Sequence, residues 1–272
     1  MGIDLTSRPT RKKPIVCMHC MLEKRVLRAD RLEQWTEFDQ FELALQRPGP
    51  WIAGIDFPFG QSRKFIENIG WPSTWPEYVA HAGSLGREGF RDALDSYRRE
   101  RSFGDKEHRR ATDIAASSIS PQKLYGVPVG LMFLEGAPRL LQSGVAIPVL
   151  CMGDPARIVV EAYPGILARH IVGRDGYKND SVRKQTEKQY QVRGSLLDRI
   201  LGGEIEARYG LQVEAPRSLA EDPSADQLDA LLCAVQAAWA FTMREHGYGA
   251  PRDTDPLEGW IADPNLCQTT GR

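Results

Sequence analysis

Apolar positions recur along this chain with two different periods. Alternation and short unbroken apolar runs mark strands, whereas spacings of three and four mark helices. Residues 1–6 predict a short strand, and residues 14–22 and 24–29 predict two more, joined by a tight polar turn at Glu23-Lys24. Leu32, Trp35, Phe38, Phe41 and Leu45 then follow a helical spacing, which Arg47-Pro-Gly-Pro50 ends. Residues 51–57 form an apolar run suited to a buried parallel strand. Residues 146–151 and 156–162 read as two strands hairpinned around a Gly153-Asp-Pro155 turn. Tyr163-Pro-Gly165 leads into a helix with Pro164 in its first turn, and another helix is predicted over 181–201.

Between these elements lies a long interval, 60–144, rich in Gly, Pro, Trp and Arg, with helices predicted around 86–101 and 129–142. It reads as an elaboration of one core, because no linker composition bounds it. The expected architecture is α/β: a mixed sheet flanked by helices, one domain over 1–272 with a large, mostly helical insertion at 60–144.

The last predicted helix is unusual. Leu228, Leu231, Leu232, Val235 and Trp239 form an apolar stripe, and Ala230, Cys233, Ala234 and Ala237 form a small-residue face opposite. A helix of this kind packs on both sides. Asp226 and Asp229 lie on the small-residue side, one turn apart. Ser224 and Gln227 make a capping-box pattern, so one reading of the two acids is a favourable interaction with the helix dipole. Three further carboxylates change the balance: Asp4, Asp56 and Glu161 each end an apolar strand-like run. Ligands of open α/β sheets gather at the C-terminal ends of strands. Crowded carboxylates repel one another unless a cation is present, and hard cations such as Mg2+ or Mn2+ take oxygen ligands. Two such ions side by side suit in-line phosphoryl transfer.

The strand-strand-strand-helix-strand order, with acids on the first and fourth strands and an Asp-x-x-Asp-Ala helix, resembles the ribonuclease H-like superfamily and its RuvC-like branch. More closely, the chain resembles the domain-of-unknown-function family numbered 429, a family of predicted RNase H-like nucleases. The residues that carry this are Gly2-Ile-Asp-Leu-Thr-Ser7, Gly54-Ile-Asp-Phe-Pro-Phe-Gly60, Val160-Glu-Ala-Tyr-Pro-Gly165, Tyr177-Lys178 and Asp226-Gln-Leu-Asp-Ala230. The resemblance implies a catalytic metal site of Asp4, Asp56, Asp226 and Asp229, holding Mg2+ or Mn2+, with Glu161 beside it as a ligand or as a group orienting one through water. It implies metal-assisted hydrolysis of nucleic-acid phosphodiesters, with DNA and RNA both open.

Composition narrows the partners. With 35 basic and 36 acidic residues the formal net charge is −1, so a nucleic-acid surface must be a local patch. Lys106, Arg109 and Arg110, with Arg98, Arg99 and Arg101, form such a patch, and Trp71 and Trp75, flanking Pro72 and Pro76 just after the Gly60 turn, are candidates for base stacking. The same residues also read as solvated helix faces paired with Glu100, Asp105 and Glu107, and as core tryptophans. The candidate substrate-binding set is Lys178, Arg183, Lys184, Arg109 and Arg110. His170, on an Ile/Leu-rich helix, reads as packed more readily than as a proton shuttle. Cys17-Met-His-Cys20 lacks a second ligand pair for zinc, and its alternation fits a strand. The five cysteines are expected to be reduced thiols of a cytoplasmic protein. No apolar run approaches the ~20 residues of a membrane span. Neither Gly-x-Ser-x-Gly nor a phosphate loop of the Gly-x-x-x-x-Gly-Lys type is present. Two rival functions stay open: an actin-like nucleotide-binding phosphotransferase or ATPase, and a catalytically inactive RNase H-fold scaffold.

Overall fold

The computed structural model describes residues 1–179 and 184–267. Its sheet is built from β1 (Gly2–Asp4), β2 (Ile15–Glu23), β3 (Val26–Trp35), β4 (Trp51–Asp56), β5 (Val145–Ala146), β6 (Asp154–Ala162) and β7 (Gln212–Glu214). Their spatial order is β5-β6-β4-β1-β2-β3-β7, and within it β2 alone runs against the others. The helices in chain order are α1 (Phe38–Leu45), α2 (Arg63–Ile69), α3 (Trp75–Ser84), α4 (Gly86–Arg99), α5 (Ala111–Ala115), α6 (Val129–Ser143), α7 (Pro164–Val172), α8 (Glu187–Arg199), α9 (Ile205–Tyr209) and α10 (Asp226–Thr242).

Alternation along the strands sends successive side chains to opposite faces. On one face Ile3, Ile15, Ile55 and Val159 pack against α1, α2, α3, α4 and α6. On the other, Val16, Met18 and Val160 pack against α7, α8, α9 and α10. The region between β4 and β5 is helical, as expected, and contributes most of the first core. Trp75 is fully buried there, and Trp71 packs against the same cluster.

The α10 helix is buried along almost its whole length, and its small-residue face lies directly on β1 and β4. A Cβ on Gly2 would stand 1.9 Å from the Ala230 carbonyl oxygen, and one on Gly54 would stand 2.4 Å from that of Cys233. Backbone contact this close requires glycine on the strands. It also fixes where the N-terminus of α10 meets the strand ends.

Four expectations are corrected. Leu32 and Trp35 belong to β3, not to a helix; they pack on opposite faces of the sheet, and this strand geometry mimics a helical spacing. The hairpin expected over 146–162 is absent: β5 runs parallel to β6. Residues Ile147 and Cys151 close a tight loop on themselves, with Val149 at a φ of 72°. The helix expected over 181–201 begins at Glu187, capped by a reciprocal Thr186/Gln189 box, and residues 180–183 lie outside the described ones. Ser224 does not cap α10 in a box with Gln227, because Ala225 takes a left-handed φ of 61°. The Asp222 carboxylate instead accepts from the Gln227 and Ser224 backbone N–H groups, at 3.2 and 3.0 Å.

Candidate functional site

The parallel register of β1 and β4 places Asp4 directly beside Asp56 at the C-terminal ends of both strands. Both acids share a face with Gly2 and Gly54, the face that meets α10. The close approach of that helix brings Asp229, in its first turn and completely buried, against them. Asp226 stands one turn earlier, at the rim. The result is an acidic floor at the carboxyl edge of the sheet, built by two strands and one helix start.

Lys178 enters this floor from the segment after α7. Its Nζ donates to Asp229 Oδ2, and the neighbouring Tyr177 hydroxyl donates to Oδ1 at 2.7 Å. Burial alone would lower the Lys178 pKa, but Asp229, Tyr177 and Asp4 outweigh it and hold the ammonium well above its usual range. Burial pushes the Asp4 carboxyl well up; Lys178 opposes this, while Asp229, Asp226 and Asp56 add to it. Burial likewise raises Asp56 to about 7, again opposed by Lys178 and reinforced by Asp229 and Glu161. Asp226 is raised by burial against the pull of Lys13 and Ser224.

Glu161 lies on β6 in register with Ile55, so its side chain points to the opposite face from Asp56. There the buried Arg110 guanidinium donates to both its oxygens, at 2.7 and 2.5 Å, and the Phe59 N–H donates at 2.8 Å. Arg110 also holds Asp113 through two 2.9 Å bonds and donates to the Glu258 carbonyl oxygen at 3.0 Å. The structure thus gathers Asp4, Asp56, Asp226, Asp229 and Lys178, and sets Glu161 and Arg110 behind them as a sealed ion pair in the wall.

The remaining basic candidates are scattered. Arg109 and Lys184 are exposed and do not line the cleft, while Arg183 lies outside the described residues. Arg98 and Arg101 are paired with Glu107 and Asp105. His170 is half-buried beside Asn265, away from the floor. The five cysteines are free, and Cys17 packs inside β2 with His19 against it. Sequence reasoning missed Lys13, which lines the cleft, and the clamping role of Tyr177. The Arg11-Lys12-Lys13 run just before β2 carried a signal for the first.

Above the floor opens a cleft of about 390 Å³. A second depression, of about 440 Å³, adjoins it and shares Asp56, Tyr163 and Lys178. Among the described residues no donor hydrogen-bonds the Asp4 or Asp56 carboxylate, and no three His, Cys, Asp or Glu groups stand as a ready metal cage. The donor chemistry still fits a hard divalent cation: two adjacent carboxylates without donors, open to a cleft, with Asp226 and the Lys178-bound Asp229 next to them.

A family model described as "Protein of unknown function (DUF429)" matches residues 2–255. No curated protein and no solved structure matches the chain.

Proposed function

The chain belongs to the DUF429 family, and from that membership together with the acidic cleft we propose a divalent-metal-dependent hydrolase of nucleic-acid phosphodiesters on a ribonuclease H-like sheet. The observation that carries this reading is the side-by-side pair Asp4 and Asp56 at adjacent strand ends, raised in pKa and without a donor among the described residues. Such a pair resists ionising and keeps its protons, and a hard cation would relieve that by taking the protons' place. Asp4 and Asp56 would hold Mg2+ or Mn2+, with Asp226 and Asp229 beside them. When bound, the metal supplies an activated water and charge stabilisation at phosphorus.

The chain's own groups would do the rest. Tyr177 and Lys178 fix the Asp229 carboxylate, so that it does not swing between its neighbours. Lys178 and Lys13, both lining the cleft, set positive charge where phosphate oxygens would lie. The Glu161–Arg110 pair holds the Phe59 backbone and so shapes the cleft wall without touching the reacting atoms.

The direct test is an assay on labelled mixed-sequence DNA and RNA with Mn2+, Mg2+ or EDTA. Cleavage by the wild type that needs metal and vanishes in Asp56→Asn supports the reading. Absence of cleavage with either metal on both nucleic acids rejects it. ATP turnover in the same preparations would favour the actin-like alternative.

A further inference from the structure

The acidic floor has a wall of a different character. Over Asp4 and Asp56 the cleft is bounded by Ile119, Val127, Pro128, Val129 and Met132, all from the segment leading into α6 or its first turn. Ile119 is 43% exposed and Val127 41%, and Tyr125, two residues before Val127, is 63% exposed. Large apolar groups left in water beside a cleft mark a surface that meets an apolar partner. A site that gripped only phosphates would be lined by cations and amides. Here Lys13 and Lys178 lie among the acids, Arg110 is held by Glu161 and Asp113, and the side formed by Ile119, Val127, Pro128, Val129 and Met132 presents hydrocarbon.

We propose that this wall is a subsite for one unstacked nucleobase, so that the substrate is a single strand and not a duplex. The proposal rests on the hydrolase reading above for its substrate class. A volume of about 390 Å³ falls at the small end of ligand pockets, suited to one flat heterocycle with its sugar. A base can reach such a wall only after leaving its stack and its pairing partner. The lining also gives the strand a path. The second depression continues from Asp56 and Lys178 toward Arg174, which is exposed and has no ion-pair partner among the described residues. A strand with one base on the Val127 wall would carry its phosphate across the acids, and its next phosphate would run toward Arg174. Lys123, with its Nζ 5.1 Å from the Tyr125 ring centroid, adds a cation at the outer rim. Apolar contact with the face of a base leaves its edges unread, so little sequence preference is expected.

The test uses the whole chain in Ca2+ and measures binding of 2-aminopurine-labelled single-stranded DNA and RNA, the matching duplexes, and AMP and dAMP. Cleavage of the same oligonucleotides is followed separately in Mn2+. The variant is Ile119→Ser/Val127→Ser, at two exposed positions. The expected result is single strands bound at least about tenfold tighter than duplexes, with that margin and the 2-aminopurine fluorescence change lost in the variant. Duplex binding as tight as single-strand binding, or an unaltered variant, overturns the proposal. Mononucleotides bound as tightly as oligonucleotides would assign the wall to free nucleotides and overturn the single-strand substrate. Variant-sensitive single-strand binding without any Mn2+-dependent cleavage would keep the subsite and remove the hydrolase reading. Equal cleavage of both forms by wild type and variant would do the reverse.

Discussion

Asp56 binds its proton more tightly in the fold than in the unfolded chain, because its carboxyl rises from an ordinary 3.8 to about 7 on burial beside other acids. Folding therefore takes up a proton between those values, and stability falls as pH rises through that window and levels off above it. Lys178 opposes the rise but does not cancel it. In EDTA, Asp56→Asn is expected to be more stable than wild type at pH 8 by about 0.5–2 kcal/mol, the size common to single stabilising substitutions. The gain should shrink toward pH 5. Urea unfolding at both pH values measures this, and an offset independent of pH would show that Asp56 carries no raised carboxyl. Much of this residue chemistry was legible in the sequence, since Asp4 and Asp56 each close an apolar run. The side of the sheet taken by Glu161 was not legible. It depends on the pairing of Ile55 with Glu161, a long-range register that no local pattern encodes. Arg110 was hidden for the same reason: in sequence it belongs to a basic patch, and only the fold buries it against Glu161.

At the scale of elements, the site depends on how closely α10 lies on β1 and β4. The apolar stripe and the small-residue face of α10 were both readable from spacing, as was its packing on two sides. The glycines that receive it became meaningful only with the fold. Gly54→Ala puts a Cβ against the Cys233 carbonyl and must lift the helix, together with Asp229, away from Asp56. A loss of about 1–3 kcal/mol is expected, with activity falling further than stability alone explains. Gly194→Ala is the control. That glycine lies inside α8 with nothing near its missing Cβ, so alanine should stabilise by roughly 0.5–1 kcal/mol. Thermal melts of both variants, with cleavage rates, decide the point; equal effects would mean the close approach is unimportant. The elements misread were those whose spacing is ambiguous. In β3 two faces of a strand imitate a helix, and the apolar run after β5 folds into a turn.

Across the whole molecule, one buried cluster ties three regions together. Arg110 comes from the helical region between β4 and β5, Glu161 from β6, and Glu258 from the segment after α10. Glu258 in turn accepts from the Arg63 and Ala111 backbone N–H groups at 2.8 and 2.9 Å. Arg110→Met would strand Glu161 and Asp113 as buried charges, at an expected cost of about 3–5 kcal/mol. Limited proteolysis should then cut the helical region before the sheet. Simultaneous, slower loss of both would show that the cluster does not hold the region in place. No helix among the described residues is long and apolar enough to cross a membrane.

The proposed hydrolase requires Asp4 and Asp56 together to hold a divalent cation. The test is calorimetric titration of Mn2+ into wild type, Asp4→Asn and Asp56→Asn. Saturable binding by the wild type, abolished or strongly weakened in each variant while both stay folded, is the expected result. An absence of binding in the wild type, or binding that survives both substitutions, would contradict it.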